Sequence, residues 1–322
     1  METVEQNEAT RQLRALEQQV EQAVIGQKPV IREVITALIA GGHVLVEGVP
    51  GLGKTLLVRA LTKAIGGRFS RIQFTPDLMP TDISGHALFD FKSNEFHIRK
   101  GPVFCNFLLA DEINRAPAKT QSALLEAMQE KQVTIEGDSF SLQPPFMVMA
   151  TQNPIEQEGT YPLPQAQLDR FLVKIMIDYP NQTEEQEMVS RVTRQMVADD
   201  LDISAVEQIM EPEQILDLQK AAAAQHIDEA VVGYAVDLIR TTRDWQGLEA
   251  GSGPRGAIAL LRTARAMALL NGNPFVTPDD IKRVAPMVLR HRIRLAADLE
   301  IEGREPDDVL QDILATVESP RT

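Results

Sequence analysis

Three short stretches of this chain combine residue types suited to phosphate chemistry at spacings that suit it. The first is Gly48-Val49-Pro50-Gly51-Leu52-Gly53-Lys54-Thr55, which fits the pattern G-x-x-x-x-G-K-[ST]. Glycines let the backbone fold its N–H groups around an anionic oxygen, and a helix starting behind them, through Leu56, adds partial positive charge. Lys54 is expected to reach the β- and γ-phosphates of a nucleotide, and Thr55 to hold Mg²⁺. The plain alternative is a glycine-rich turn between a strand and a helix. The second stretch is Asp111-Glu112, behind the apolar run Phe107-Leu108-Leu109-Ala110. Two carboxylates at the C-terminal end of a buried strand divide the work: Asp111 holds Mg²⁺ through water, and Glu112 polarises the attacking water. Acidic residues often end strands, so this pair gains its meaning from the phosphate loop upstream. The third is Asn153, after the apolar run 146–150. Its amide either orients the water that Glu112 activates or, with Pro154 next, caps a turn.

These residues need a sheet edge to hold them, and the chain supplies the strands. His43-Val44-Leu45-Val46-Glu47 reads as a buried strand entering the glycine loop, with Leu57, Ala60, Leu61 and Ala64 at helical spacing beyond it. Further strands are expected over 71–74, 107–110, 146–150 and 171–177. Two helices precede the loop, the first through Leu13, Leu16, Val20 and Ala23, the second opened by Pro29. The turn between them leaves Ile25 and Gly26 either to flank a base or to serve as a plain helix corner. Two polar turns inside alternating apolar residues, at Ser93-Asn94 and Gly137-Asp138, predict β-hairpins. His86 and His97 lie in the first without ligand-spaced companions, so they read as ordinary side chains rather than metal ligands.

Tyr179-Pro180-Asn181 looks like a hinge. Beyond it every pattern is helical: Thr183 with Gln186 fits a capping box, and later starts fall at Pro212, Asp228, Pro254, Thr277-Pro278 and Pro306. Arg255 sits in the first turn after Gly251-Ser252-Gly253-Pro254, well placed for an anion at that terminus. The cluster Arg290-His291-Arg292 with Arg294 is expected to pair with the acidic tail between Glu300 and Asp312.

Composition narrows the function classes. With 322 residues, 43% hydrophobic and 24% charged, the chain suits two soluble globular units. Its 46 acidic against 32 basic residues, a net charge of −14, repel phosphate backbones and argue against nucleic acid. Cys105 is the single cysteine, so no intrachain disulfide is possible, and its apolar setting predicts an inert thiol. The first residues lack a signal peptide's basic and apolar regions, and no apolar run approaches the ~20 residues of a membrane span. A cytoplasmic protein is expected.

Taken together, Val24-Ile25-Gly26-Gln27, the run 47–55, Ala110-Asp111-Glu112-Ile113-Asn114-Arg115, Ala150-Thr151-Gln152-Asn153-Pro154, Leu168-Asp169-Arg170-Phe171 and the run 288–292 resemble the MoxR family of AAA+ ATPases. Asp111-Glu112-Ile113-Asn114-Arg115-Ala116-Pro117 is the most specific stretch. Gly251-Ser252-Gly253-Pro254-Arg255 departs from the family's Gly-Ala-Ser-Pro-Arg by a glycine in place of serine. The resemblance implies a P-loop NTPase fold, a five-stranded parallel α/β sheet over 1–180 with an all-helical lid over 181–322. It makes the segments about 82–101 and about 131–144 the helix-2 insert and the pre-sensor-1 hairpin, bordering a central pore. It implies ATP and Mg²⁺ as ligands, Asn153 as sensor 1, Arg255 as sensor 2, and Ile25 and Gly26 near adenine. Arg170 becomes an arginine finger acting in trans within a hexameric ring.

The implied function is an ATPase whose ring motions serve the maturation or assembly of client complexes, with a von Willebrand factor A domain protein as partner. Two other classes use the same motifs. A DNA-acting helix-2-insert motor is disfavoured by the charge, which Lys92, Arg99 and Lys100 are too few to reverse. A nucleotide-gated scaffold without turnover is disfavoured by Glu112, Asn153 and Arg170 all being present.

Overall fold

The computed structural model describes residues 2–49, 51–92, 94–153, 159–195 and 202–320. Pro50, Ser93 and Pro154, named above, lie outside the described residues. Five apolar segments build one sheet: β1 (Val44–Glu47), β2 (Phe69–Gln73), β3 (Phe107–Asp111), β4 (Met147–Gln152) and β5 (Val173–Met176), in the order β2-β3-β4-β1-β5. Every neighbouring pair is parallel, with Leu45 opposite both Ala150 and Lys174 and Leu108 opposite both Ser70 and Val148. All five C-terminal ends therefore meet at one edge, where open parallel sheets bind ligands. The central strands carry unbroken apolar runs because both faces are covered. Val44, Val46, Leu109 and Met149 enter one buried cluster, while Leu45, Leu108, Val148 and Ala150 enter the other.

Helices α1 (Glu2–Glu21) and α2 (Lys28–Ile39) precede the sheet, and α3 (Lys54–Ile65), α4 (Pro80–Ser84), α5 (Ala118–Glu130) and α6 (Gln165–Leu168) lie between its strands. After β5 come α7 (Gln182–Gln195), α8 (Pro212–Ala223), α9 (Glu229–Asp244), α10 (Pro254–Asn271), α11 (Pro278–Leu289), α12 (Ala297–Ile301) and α13 (Pro306–Thr316). The helix-start signals operate as read: Asp228 accepts from the Ala230 N–H at 2.8 Å, and Thr277 shares a capping box with Asp280. One cap moves. Asn181 accepts from the N–H groups of Thr183 and Glu184, and Glu184 answers from its carboxylate, so α7 begins on Asn181 and not at Thr183. The C-terminal part is also not purely helical. His226-Ile227 pairs with Phe275-Val276, and 248–250 pairs with Arg294-Leu295. Ladders of two or three residues are too short for alternation to betray them.

The first apolar cluster runs without a break from α1, α2 and α3 into α8–α11 and α13, joining Leu13, Ile31 and Leu61 to Leu218, Leu260 and Leu310. Polar bonds reinforce it, including Thr10 Oγ1 donating to the Leu269 carbonyl at 2.8 Å.

Both expected hairpins show their paired strands, Gly85–Asp90 with Glu95–Lys100 and Gln132–Ile135 with Asp138–Ser141. The second turns on Glu136 (φ 50°) and Gly137 (φ 92°), one residue before the expected Gly137-Asp138, because a two-residue loop of this hand needs positive φ at both positions. Lys100 lies 5.0 Å over the Phe104 ring and 6.0 Å over that of Phe140, which ties one hairpin to the other.

His43, at the entry to β1, is buried with its roles set on both nitrogens. Nδ1 accepts from the Val148 N–H at 3.0 Å, so Nε2 donates to the Met128 carbonyl at 3.2 Å. Burial pushes its pKa down to about 4, so the folded chain holds the ring neutral while the unfolded chain protonates near 6.5. This contribution is complete above the unfolded value and is lost as pH falls towards 4, by about 3 kcal/mol at the lower end. His43→Gln should thus cost stability at pH 7.5 and progressively less towards about pH 5. Denaturant melts at the two pH values check this, and a pH-independent gap would contradict it.

Candidate functional site

The phosphate loop links the end of β1 to α3. Gly48 donates to the Gln152 carbonyl across the sheet, and a Cβ on it would stand 2.6 Å from the Ile177 carbonyl oxygen. Gly48→Ala should accordingly lower stability by about 1–3 kcal/mol, read as a shifted denaturation midpoint, because both strands are fixed in register. Gly51 and Gly53 take φ of 88° and 78°, and a Cβ on either would meet nothing within 4 Å. Gly53 caps α3 without any side-chain acceptor, so the first-turn N–H groups of a twelve-residue helix point into this open space. Val49, Leu52, Thr55 and Leu56 continue the loop and the first turn around it.

Lys54 is part-buried and donates to the Gly48 carbonyl. Burial lowers its pKa, and the nearby carboxylates of Asp111, Glu112 and Glu47 oppose that shift. A lysine amine thus stands among three acids at the C-terminal sheet edge, two of them, Asp111 and Glu112, at the end of β3. Thr151 on β4 joins those acids: its hydroxyl donates to Asp111 Oδ1 at 2.6 Å and accepts from the Glu112 N–H at 2.8 Å. Asp111 Oδ2 pairs with Arg71 at 2.6 Å, and Glu112 Oε2 accepts from Gln73 at 2.7 Å and Arg115 at 2.9 Å. Glu112 sits at φ 55°, a left-handed turn that lifts it out of the strand line. Asn153, 8% exposed, follows β4 at the same edge. Sequence reasoning missed Thr151, Arg71 and Gln73, since only strand order makes β2 and β4 the neighbours of β3.

Ile25 and Gly26 come to this side too. Gln27 donates to the Asp178 carbonyl at 2.9 Å, and Gly26 (φ 73°) lies so close to Pro180 that a Cβ would approach its side chain to 2.9 Å. The turn therefore abuts the chain leaving β5, which also borders Gly48.

Uncapped helix N–H groups, a lysine, a hydroxyl at Thr55 and a carboxylate at Asp111 form a donor and acceptor set that fits a nucleoside triphosphate with Mg²⁺.

Arg170 and Arg255 lie elsewhere. Both line a cavity of about 330 Å³ with Gly41, Gly42 and Leu172, residues that stand before β1 and β5. Those strands are parallel, so this is the opposite sheet edge. Gly42 and Gly48 are separated by a strand's run of roughly 20 Å, at ~3.3 Å per residue. Arg170 Nη1 donates to the Leu125 carbonyl at 2.8 Å, and Arg255 Nη1 lies 3.6 Å from Asp169. The helix start at Pro254 is where the sequence placed it, but Arg255 faces away from its own phosphate loop.

The basic cluster resolves into separate partnerships. Arg290 pairs with Asp307 at 2.7 Å, as expected. Arg294 pairs instead with Glu249, and Arg292, 4% exposed, turns inward to Asp169 at 2.8 Å. The expected pairing with the acidic tail thus holds for one arginine of three, because the chain reverses at 290–294 and buries its middle.

A β2-β3-β4-β1-β5 sheet with a phosphate loop after β1, an acidic pair after β3 and a helical C-terminal unit defines a P-loop ATPase of the AAA+ class. Residues 43–173 match the model of the ATPase family associated with various cellular activities, and residues 240–313 match the AAA lid domain. The chain is 44% identical over 301 residues to the uncharacterized protein YeaC of Bacillus subtilis, covering 94% of this chain and 92% of that one. It is 44% identical over 312 residues to Chaperone MoxR1 of Mycobacterium tuberculosis (94% and 81%), and 31% identical over 329 residues to Protein MoxR of Methylorubrum extorquens (94% of each). A provisionally assigned ATPase from Cytophaga hutchinsonii superposes with a TM-score of 0.90 at 41% identity, over 98% of this chain and 97% of that one. This chain belongs to the MoxR family of AAA+ ATPases.

Proposed function

We propose that this chain hydrolyses ATP to ADP and phosphate at the junctions between subunits of a hexameric ring, and that the ring's motions serve the maturation or assembly of client protein complexes. The observation that carries the reading is the division of charged groups between two sheet edges. Lys54, Asp111 and Glu112 gather at one, and Arg170 and Arg255 at the other. Arg71 and Arg115 at the acids' own edge are already paired with Asp111 and Glu112, so a triphosphate held by one subunit meets Arg170 and Arg255 only if a second subunit presents its opposite edge.

Within that junction the loop N–H groups and Lys54 bind the phosphates, Glu112 takes a proton from the attacking water, and Asn153 orients that water. Thr55 and Asp111 are the residues that would hold Mg²⁺, which would supply charge neutralisation at the phosphates. Arg170 and Arg255 stabilise the charge that develops on the transferred group. Ile25 and Gly26 flank the base. The units 1–180 and 181–322 then change their angle as the γ-phosphate is lost. The relative named Chaperone MoxR1 supports a chaperone role. A von Willebrand factor A domain partner and a cytoplasmic setting belong to the same proposal, on the sequence resemblance alone. Among the described residues no helix is long and apolar enough to cross a membrane.

Phosphate release per subunit should rise more steeply than linearly with protein concentration as rings assemble under Mg²⁺ and ATP, followed by light scattering on the same samples. Turnover per subunit independent of concentration, by a species that stays monomeric, would end the junction model. Stimulation by DNA with a steep salt dependence would instead favour the DNA motor.

A further inference from the structure

Asp169 stands beside Arg170 and is the one carboxylate among the described residues lining the cavity that holds Lys131, Arg170, Arg255, Arg262 and Arg292. Its two oxygens have unlike partners. Oδ1 accepts from Arg292 Nε at 2.8 Å, and that guanidinium, 4% exposed, also donates to the carbonyls of Leu172 at 3.0 Å and Phe171 at 2.7 Å. Oδ2 lies 3.6 Å from Arg255 Nη1, whose side chain is 68% exposed. The first pair has its arginine buried and braced by backbone carbonyls, with Asp169 half-buried beside it, so removing the carboxylate would leave the Arg292 charge without its counter-ion. The second is long and screened by water, so it is readily exchanged for a stronger anion.

Other bonds bind the same loop to the same segment. His291 Nε2 meets the Phe171 carbonyl at 3.1 Å, and Gln165 donates to the His291 carbonyl at 2.7 Å. The chain from 165 to 172, which carries Arg170, is therefore fastened to the turn after α11, while Arg255 starts α10 beside it. The loop is held to the sheet side as well, the Leu172 N–H donating to the His43 carbonyl at 2.9 Å, so it bridges the core and the C-terminal helices with Asp169 between the two arginines.

We propose that Asp169 is the positioning residue for these two arginines. Through Arg292 it locks the Arg170 loop to the C-terminal helices, and through its second oxygen it parks Arg255 at the cavity mouth until a neighbouring subunit's triphosphate takes over as partner. The proposal rests on the reading that Arg170 and Arg255 serve a neighbour's nucleotide.

Asp169→Asn keeps the shape and removes the charge. In assembled rings it should lower kcat by about 10- to 100-fold, the scale of a ~1 Å misplacement, with KM for ATP moving within about two-fold. Asp169→Glu, which restores the charge on a longer arm, should recover part of the loss. Polarity of complementation separates positioning from mere structural support. Asp169→Asn subunits mixed with Glu112→Gln subunits should regain turnover, since each spoils a different side of the junction, whereas mixing with Arg170→Ala should regain none. Wild-type turnover by Asp169→Asn, or recovery with Arg170→Ala and not with Glu112→Gln, overturns the proposal. Should Asp169→Asn fail to assemble, Arg292→Lys is read by the same mixtures. Failure of both to assemble also overturns it, because Asp169 is then only a prop. The control is Arg170→Ala with Glu112→Gln: if that mixture stays inactive, the junction reading itself fails and takes Asp169 with it. If the control recovers, any failure belongs to Asp169 alone.

Discussion

Glu112→Gln is expected to leave ATP bound and rings assembled while phosphate release falls by about 10²–10⁴-fold, the range for losing a positioned general base. The geometry explains the separation of effects. Glu112 is presented on a left-handed turn, its N–H is fixed by Thr151, and its Oε2 accepts from Gln73 and Arg115. Glutamine preserves the length and still offers an oxygen to those donors, so the loop and its neighbours should stay in place. It cannot accept water's proton near neutral pH. Lys54 and the α3 N-terminus, the proposed phosphate-binding groups, are left unaltered by the substitution, so nucleotide affinity should persist. Nucleotide titration beside a phosphate-release assay distinguishes the cases, and normal turnover by the variant would remove Glu112 from the role of base.

What was legible in the sequence was whatever nearby residues determine. A glycine loop between an apolar strand and an apolar-periodic helix specifies its own backbone, and Gly51 and Gly53 take the positive φ that their type permits. Strands buried on both faces show as apolar runs, and caps announce helix starts within four residues. What was not legible depends on pairings far apart in the chain. Arg292 meets Asp169 across 123 positions, and Gln73 meets Glu112 across 39, with no local pattern that marks either. Arg255 is the instructive case. Its place at a helix start could be read locally, but which sheet edge that helix faces follows from how α10 packs on α2 and α8, a property of the whole apolar cluster. The basic run 290–294 divides for the same reason: adjacent charges suggest a shared partner, and the turn sends the three arginines to Asp307, Asp169 and Glu249.

Arg170→Ala should lower turnover in assembled rings by about 10³–10⁵-fold, the worth of an arginine that stabilises transferring phosphoryl charge. Nucleotide affinity of the single subunit should not follow, because Arg170 lies a strand's length from the glycine loop before α3. In the free chain its guanidinium spends one donor on the Leu125 carbonyl, a bond available to be traded for a charged oxygen. The decisive measurement mixes Arg170→Ala with Glu112→Gln. Each parent ring is inactive at every junction, yet a mixed ring contains junctions where an intact base faces an intact arginine, and turnover should climb to a maximum near equal proportions. If Arg170 acted on its own subunit's nucleotide, every subunit in the mixture would remain defective whatever its neighbour, and no proportion would exceed the parents. Because Arg170 and Arg255 lie at the sheet edge opposite Lys54 and Glu112, recovery in mixed rings requires one subunit's edge to meet the next subunit's opposite edge, so the shape of that mixing curve reports the assembly and the chemistry at once.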